Sequence, residues 1–318
     1  LFRRAPATGK KVAVVGGGPA GLSCAHRLAM LGHDVVVFNR DEKLGGLNEY
    51  GIAAYKTIGN FAQHEADYIL SIGGIEARNE QALGDDFTLD DLRNGYDAVF
   101  VGVGLGDSNA LGLEHESLQG VDAAIEYIAE IRQAEDLAKL PVGRRVVVIG
   151  GGMTAIDIAV QSKRLGAEVV DVVYRRGPEH MGASDFEQQL AQTNGITIHH
   201  WARPVRLLGD SHVRTIQFER TELDASGRLK DVGGSFELTA DSVFKAIGQK
   251  LDGGVEAINA SGLEIRGGRI VTDESGQTSL AGVWAGGDCV ADGDNLTVTA
   301  VEQGKLAAID IDRQLREG

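Results

Sequence analysis

One unit of strand, glycine turn, helix and strand occurs twice in this sequence, and no other feature restricts its fold as strongly. The first copy spans residues 10–40 and the second spans residues 144–176. Each begins with an apolar, β-branched run that is too short for a helix and therefore predicts a buried strand. The glycines of the two copies match at an offset of 134 residues: Gly16, Gly18 and Gly32 correspond to Gly150, Gly152 and Gly166. A repeat this detailed indicates two copies of one structural unit.

The glycine turn of the first copy has the spacing Gly16-x-Gly18-x-x-Gly21. In a nucleotide-binding unit the first glycine allows a tight turn, the second lets the backbone approach a pyrophosphate, and the third lets helix and strand pack closely. The unpaired amides at the start of the helix attract the phosphates. The second copy has Ala155 in place of the third glycine, which the pattern permits. An ordinary tight turn is the alternative, but the strand and helix on either side favour two dinucleotide-binding units.

The residues after the second strand differ between the copies. The first copy has Asn39, where an acid usually binds the ribose hydroxyls, although an amide can also hydrogen-bond a hydroxyl. The second copy has Arg175 and Arg176 at the place taken to match, and paired guanidinium groups suit the 2′-phosphate of NADP. The alternative is a solvated basic turn. The pair therefore favours NADP(H), with NAD(H) still open.

The composition limits the partners and the compartment. A formal charge of −15 over 318 residues argues against nucleic acid or an anionic membrane surface as a partner, and no apolar run is long enough to span a membrane. The two cysteines, Cys24 and Cys289, form no C-x-x-C pair and are too few for an iron–sulfur cluster. So few cysteines suit a protein of the reducing cytoplasm. Cys24 falls in the first helix and is expected in the core. The adjacent His199 and His200 would point to opposite faces of a strand, so no metal site is predicted.

The rest of the chain supplies further strands and helices. Residues 98–103, 242–248 and 282–285 predict buried strands, and residues 111–143 predict a helical region. Alternation predicts antiparallel strands at residues 196–198, 213–218 and 236–238, with a turn at residues 224–227. The glycine turn Gly286-Gly287-Asp288 precedes a last helix, whose start has the capping-box spacing Thr299-x-x-Glu302.

Several of these motifs occur in the order seen in a known family. They are GGGPAG at 16–21, GGL at 45–47, YGIAAYK at 50–56, GVGLG at 102–106, GGGMTAID at 150–157, VYRRG at 173–177, AIGQ at 246–249, AGGDC at 285–289 and TVTAVEQGK at 297–305. Over nearly its whole length the chain resembles the FAD- and NAD(P)H-binding part of the glutamate synthase small subunit and of dihydropyrimidine dehydrogenase. The stretch FERTELDASG at 218–227 is more similar to the dihydropyrimidine dehydrogenase branch, nearest the smaller subunit of its bacterial form.

The resemblance implies an α/β fold of the pyridine nucleotide-disulfide oxidoreductase type, with two Rossmann-like three-layer domains. It implies a discontinuous FAD domain at residues 1–110 and 244–318, with an NAD(P)H domain at residues 111–243 inserted in it. The implied FAD site comprises Gly16, Gly18, Pro19, Ala20, Gly21, Asn39, Arg40, Gly45, Gly46, Leu47, Lys56, Gly104, Gly287, Asp288, Thr297 and Val298. The implied NAD(P) site comprises Gly150, Gly152, Met153, Thr154, Arg175, Arg176, Ala246, Ile247 and Gly248. Two residues depart from the family, Asn39 where it usually has Glu and Lys56 where it usually has Arg.

The resemblance also implies a function. Hydride passes from NAD(P)H to FAD without a catalytic side chain, because the cofactors carry the chemistry. Electrons then leave through iron–sulfur clusters, either in a partner or in a helical domain expected upstream of Leu1, towards a catalytic partner subunit with FMN and iron–sulfur that reduces uracil or thymine. Three alternatives stay open, namely a glutamate synthase small subunit, a stand-alone NAD(P)H:acceptor reductase of the ferredoxin type, and a non-catalytic flavin-binding assembly subunit.

Overall fold

The computed structural model describes residues 2–251, 261–291, 293 and 295–317, and it divides the chain into two compact units. Unit 1 comprises Leu1–Glu49, Thr57–Asp107 and Lys250–Gly318, and unit 2 comprises Tyr50–Lys56 and Ser108–Gln249. Within the described residues, no helix is both long and apolar enough to cross a membrane.

The strands and helices are numbered in chain order. The strands are β1 (Lys11–Val15), β2 (Asp34–Phe38), β3 (Ile75–Arg78), β4 (Ala98–Val101), β5 (Asp107–Ser108), β6 (Val121–Ala123), β7 (Arg145–Ile149), β8 (Val169–Val173), β9 (Thr197–His199), β10 (Ala202–Gly209), β11 (Val213–Leu223), β12 (Leu229–Thr239), β13 (Ser242–Lys245), β14 (Gln249–Lys250), β15 (Ile265–Arg266), β16 (Arg269–Ile270) and β17 (Val283–Ala285). The helices are α1 (Pro19–Met30), α2 (Leu47–Tyr50), α3 (Phe61–Leu70), α4 (Leu89–Gly95), α5 (Ala124–Gln133), α6 (Met153–Arg164), α7 (Asp185–Thr193) and α8 (Thr297–Glu317).

Unit 1 is built on a parallel sheet with the strand order β17–β4–β1–β2–β3. Alternate residues of β1 face opposite sides of the sheet, so Val12 and Val14 pack with helices α1 and α8, while Ala13 and Val15 pack with α4 and the segment around Ile270. Both faces are covered, which explains why β1 is apolar throughout instead of alternating.

Unit 2 repeats this sheet, with the strand order β6–β13–β7–β8–β9 and parallel pairing. Val146 and Val148 of β7 face the helices α5 and α6, and Val147 and Ile149 face the antiparallel sheet β10–β11–β12. The prediction of an α/β fold with two Rossmann-like three-layer units is thereby confirmed. Cys24 is fully buried in α1, as expected.

The observed unit boundaries differ slightly from the expected ones. Residues 244–249 lie in unit 2, because β13 is an interior strand of its sheet and pairs with β7. Residues 50–56 also belong to unit 2, although the chain on either side of them belongs to unit 1.

Three sequence predictions about local structure were wrong. The helical region expected at 111–143 contains strand β6 followed by α5, because Val121 pairs with Val243 at the sheet edge and is not part of a helix. Residues 197–199 form β9, which pairs parallel to β8 and extends the Rossmann sheet, so this strand is not antiparallel. Helix α8 begins at Thr297, two residues before the expected cap, and the Glu302 carboxylate binds Lys305 Nζ at 2.8 Å.

Candidate functional site

In unit 1 the strand order reverses at β1, where parallel α/β sheets bind ligands beyond the carboxyl ends of the strands. The glycines there bring backbone against backbone. A Cβ on Gly16 would lie 2.3 Å from the carbonyl oxygen of Gly102, and one on Gly46 would lie 2.9 Å from Gly18 Cα. A side chain at either position would collide with main-chain atoms, so glycine is required.

Helix α1 starts at this turn with its first amides available to a ligand. Its N-cap residue is Gly18, Pro19 occupies the first turn, and no side chain of the described residues caps it. These amides have no partner inside the helix, and the helix dipole favours an anion beside them. Gly104, at φ +65°, has no described atom within 4 Å of an added Cβ. The end of β1 is therefore an open surface lined by main chain, which fits the diphosphate of a dinucleotide.

Asp288 follows the last strand of the same sheet. Its carboxylate makes no hydrogen bond to any described side chain or amide, and burial raises its pKa despite the nearby Arg269 guanidinium. The preceding Gly287 amide donates to Gln303 Oε1 at 2.7 Å, which ties this turn to α8. A half-buried carboxylate without a hydrogen bond to the described residues is suited to accept a hydrogen bond from a hydroxyl of a ligand.

Asn39 has a different place from the one expected of a ribose ligand. It is 4% exposed, and its Oδ1 accepts a hydrogen bond from the Gly17 amide at 3.2 Å. Its Nδ2 donates to the carbonyl oxygens of Asp41 at 2.7 Å and Lys43 at 3.0 Å. Both donors of the amide are used inside the protein, so Asn39 joins the glycine turn to the loop of residues 40–45.

The other residues of the implied FAD site divide into two groups. Ala20, Gly21, Gly45 and Leu47 lie in or beside the glycine turn, and the Gly45 amide donates to Gly17 O at 2.8 Å. The remaining ones have the following positions: Arg40 is exposed and lies 3.5 Å from Asp41 Oδ1, the Thr297 hydroxyl donates to Asn48 Oδ1 at 3.1 Å, and Val298 is 72% exposed in the first turn of α8.

Lys56 lies in unit 2 and is paired there. Its Nζ is 2.7 Å from Asp157 Oδ1 and 2.7 Å from Glu187 Oε1, two carboxylates that are almost completely buried. Burial lowers the pKa of Lys56, but the hydrogen bonds to both carboxylates outweigh this and raise it overall. The Tyr55 hydroxyl also donates to Asp157 Oδ1, at 2.9 Å. The positive charge of Lys56 is therefore neutralised within unit 2.

The glycine turn of unit 2 has the same construction as that of unit 1. A Cβ on Gly150 would lie 2.2 Å from the carbonyl oxygen of Ala246, and the Ala246 amide donates to Ile149 O at 2.8 Å. Gly152 is the N-cap of α6, and no described side chain caps that helix. The structure thus brings the 150–154 turn and the 246–248 segment together at the carboxyl end of β7.

A groove of about 560 Å³ adjoins this turn. It is lined by Met153 of α6, the 178–184 loop, Lys56 and the first turn of α7. Met153 is 44% exposed, and a Cβ on Gly182 would lie 3.7 Å from Gly152 Cα. The groove therefore begins at the uncapped helix start, where an elongated nucleotide has room to continue.

The strand ladders correct the assumed match between the two copies. Val15 pairs with Phe38 in unit 1, and Ile149 pairs with Val173 in unit 2. The residue after the strand is therefore Asn39 in one unit and Tyr174 in the other, so the arginine pair begins one position later than assumed. Arg175 and Arg176 make no ion pair with any side chain that the structure describes, and the Nε of Arg176 is buried without a hydrogen-bond partner.

Sequence reasoning missed two residues at this place. The Tyr174 ring lies over Gly151, where an added Cβ would come within 2.5 Å of it, and the Thr221 hydroxyl donates to Arg175 O at 2.8 Å. Correct alignment of the two strands would have identified Tyr174, because it occupies the Asn39 position. No local signal could have identified Thr221, which is 46 residues away from Arg175.

The chain is similar to known proteins over most of its length. The profile of the pyridine nucleotide-disulphide oxidoreductases matches residues 10–304. The glutamate synthase (NADPH) small chain of Escherichia coli K12 is 38% identical over 95% of this chain and 68% of its own length. The NADP(+)-dependent formate dehydrogenase subunit beta of Moorella thermoacetica is 35% identical over 98% of this chain, which spans 45% of that subunit.

Solved structures show the same fold at low sequence identity. FprA of Mycobacterium tuberculosis in complex with NADPH superimposes with a TM-score of 0.78 at 19% identity, covering 98% of this chain and 85% of that one. Thioredoxin reductase of Lactococcus lactis gives a TM-score of 0.74 at 20% identity, covering 97% of this chain and 100% of that one. The chain itself spans between about half and two thirds of the length of the curated relatives described above.

Proposed function

The chain belongs to the pyridine nucleotide-disulphide oxidoreductase family, and from this premise we propose that it binds FAD in unit 1, binds NADPH in unit 2 and takes hydride from the second onto the first. The proposal depends on the pair of glycine turns, one in each unit, at which backbone packs against backbone and no described side chain caps the following helix. Such turns fit the diphosphate of a dinucleotide.

In unit 1, the residues available to FAD are those whose polar groups have no other partner among the described residues. The α1 amides after Gly18 would hold the diphosphate, and the Asp288 carboxylate would accept hydroxyl hydrogen bonds from the ribityl chain or ribose. Asn39 is excluded from direct contact in this proposal because both donors of its amide are used inside the protein, and Lys56 is excluded because two carboxylates of unit 2 neutralise its charge.

In unit 2, the α6 amides after Gly152 would hold the NADPH diphosphate, and Arg175 and Arg176 would bind the 2′-phosphate. Bound FAD supplies the chemistry, because it can accept a hydride and release electrons one at a time. The protein residues bind and orient, and no side chain is required as acid or base.

The direct experiment is anaerobic mixing of the FAD-loaded chain with NADPH or with NADH. Bleaching of the flavin absorbance band, faster with NADPH, is the expected result. If neither nucleotide bleaches the band, the chain is a flavin-binding assembly subunit and the proposal is wrong. Repeated turnover with oxygen or ferredoxin alone would identify a stand-alone reductase.

Arg175→Ala tests the choice of nucleotide. Loss of charge-assisted hydrogen bonds to a phosphate costs about 1.5–3 kcal/mol, so kcat/KM for NADPH should fall roughly 10- to 100-fold while that for NADH stays the same. Arg144→Ala is the matched control, since Arg144 is an exposed arginine of unit 2 that is paired with Glu168. An unchanged NADPH/NADH ratio would show that the pair is a solvated basic turn.

We further propose that the electrons pass to a catalytic partner subunit. Relatives of this chain are a small chain of glutamate synthase and beta subunits of a formate dehydrogenase and of an NADPH-Fe(3+) oxidoreductase of Geobacter sulfurreducens. Residues 218–227 favour a dihydropyrimidine dehydrogenase-like partner, whereas the 38% identity favours a glutamate synthase large subunit. Co-purification followed by NADPH-dependent reduction of uracil, or of 2-oxoglutarate with glutamine, decides between them.

A further inference from the structure

The main chain at and before the arginine pair is held by a hydrogen bond at each of three consecutive residues. The Ala202 amide donates to Tyr174 O at 3.1 Å. The Thr221 hydroxyl donates to Arg175 O at 2.8 Å, and the Trp201 amide donates to Arg176 O at 3.2 Å. All three donors lie in the antiparallel sheet or immediately before it. Three consecutive carbonyls are thus held by an element outside the nucleotide-binding repeat.

Two of these contacts are linked through Trp201. Its amide donates to Arg176 O, and its carbonyl oxygen accepts from the Thr221 amide at 3.0 Å. Trp201 adopts the left-handed conformation, with φ +57°, which a bulky residue rarely takes and which persists only where neighbouring contacts enforce it. Thr221 is 3% exposed and lies at an irregularity of the β11–β12 ladder, so its hydroxyl is directed at Arg175 by buried structure.

Tyr174 closes the other side of the loop. Its ring lies over Gly151 of the glycine turn, and its hydroxyl donates to His180 O at 2.7 Å. The bond spans six residues and encloses both arginines. The turn that would hold the diphosphate and the loop that carries the arginines are therefore connected by one aromatic side chain.

Among the residues that the structure describes, no acidic side chain pairs with Arg175 or Arg176. Two other arginines of unit 2 do have acidic partners: Arg144 pairs with Glu168, and Arg203 pairs with Glu219 and Asp231. Two adjacent guanidinium groups on a backbone held by three hydrogen bonds, and without an ion pair to any described residue, are suited to bind an anion.

We propose that Thr221 and Tyr174 are positioning residues for 2′-phosphate recognition, so that the antiparallel sheet sets the preference for NADPH over NADH. This inference rests on the proposed binding of NADPH to unit 2. Both residues act through the placement of Arg175 and Arg176.

Thr221→Val is the sharpest test, because it removes the hydroxyl and keeps a β-branched side chain of similar shape. Affinity is measured by calorimetry on the full chain with two probes, 2′,5′-ADP and 5′-AMP, which differ by the 2′-phosphate. We expect 2′,5′-ADP to bind about five- to tenfold more weakly and the affinity for 5′-AMP to stay the same. Without the Thr221 hydroxyl, the carbonyl group of Arg175 is no longer held in place. Thr221→Ser keeps the hydroxyl and should restore the affinity.

Thr215→Val is the matched control. Thr215 lies on the same strand, and its hydroxyl makes no hydrogen bond to the described residues, so both probes should bind this variant as they bind the parent chain. A merely destabilising change would weaken both probes together, so the ratio of the two affinities separates positioning from loss of fold. An unchanged ratio in Thr221→Val overturns the role of Thr221.

Tyr174→Phe gives a second reading, with Tyr127→Phe as its control. Tyr127 also donates its hydroxyl to a backbone carbonyl of unit 2, that of Pro141. Only Tyr174→Phe should lower the ratio of 2′,5′-ADP to 5′-AMP affinity, by about threefold or more. If the parent chain binds 2′,5′-ADP no better than 5′-AMP, the proposed NADPH site fails. If the parent chain prefers 2′,5′-ADP but neither Thr221→Val nor Tyr174→Phe lowers the ratio of the two affinities, the NADPH site stands and only the positioning role fails.

Discussion

Replacing Asn39 by aspartate separates two explanations of the same residue. If Asn39 bound a ribose hydroxyl, an acid at this position would restore the usual ligand and strengthen FAD binding. In the structure its amide instead donates to Asp41 O and Lys43 O while accepting from the Gly17 amide. Asn39→Asp keeps the acceptor and the size of the side chain but removes both donors, so the structure predicts lower stability of unit 1 and weaker FAD binding.

The size of the loss follows from the two carbonyls. A buried polar group left without its partner costs about 1–3 kcal/mol, and a carboxylate placed against two carbonyl oxygens adds repulsion. We expect Asn39→Asp to lower the stability of unit 1 by about 3 kcal/mol, which corresponds to roughly 6–12 °C in the unfolding midpoint for a unit of this size. FAD should bind more weakly, because the 40–45 loop would adopt its binding conformation for a smaller fraction of the time.

The assay is thermal unfolding with and without FAD, at pH 8 and at pH 5. The folded state opposes the negative charge of the introduced carboxylate and so raises its pKa above the unfolded value. The deficit should therefore be largest at pH 8 and shrink at pH 5, where a protonated carboxyl regains one donor. Asn79→Asp is the control, because Asn79 also donates to a carbonyl, Glu42 O at 2.7 Å, but in an exposed place where the loss is expected below about 0.5 kcal/mol. Tighter FAD binding without a loss of stability would refute this reasoning and show that residue 39 faces the ribose.

Two further predictions concern the packing of α8 in unit 1. Gly304→Ala would place a Cβ 2.1 Å from the carbonyl oxygen of Ala20 and force α1 and α8 apart, so the free energy of unfolding measured in urea should fall by about 2–3 kcal/mol. Gly95→Ala is the control: it has open space around its Cβ and should change stability by less than about 1 kcal/mol. Burial raises the pKa of Asp310, but the hydrogen bonds to its carboxylate, including that from Trp284 Nε1 at 3.0 Å, lower the pKa overall. The ionised form of Asp310 therefore stabilises the fold above about pH 4, and this contribution is lost as the pH falls through the folded pKa. Asp310→Asn should therefore cost about 1–2 kcal/mol at pH 7 and almost nothing at pH 3, and an equal cost at both pH values would contradict the assignment.

The sequence by itself determined the repeated architecture. Short β-branched runs, glycines at fixed spacing and helical periodicity are local properties, and each acts on the chain within a few residues. They were enough to predict β1, α1, β2 and their copies in unit 2, the burial of Cys24, and the family.

Tertiary structure decided which polar side chains have partners within the protein. Asn39 and Lys56 carry suitable polar groups, but both amide donors of Asn39 bond to carbonyl oxygens, and the charge of Lys56 is paired with two buried carboxylates. The arginine pair is the reverse case, because Thr221, far away in the chain, donates a hydrogen bond to Arg175 O, while neither guanidinium group forms an ion pair with a described residue. A sequence records donors and acceptors one residue at a time, whereas a hydrogen bond exists only after distant segments have packed in one register, and that packing determines whether a polar residue builds the protein or binds its ligand.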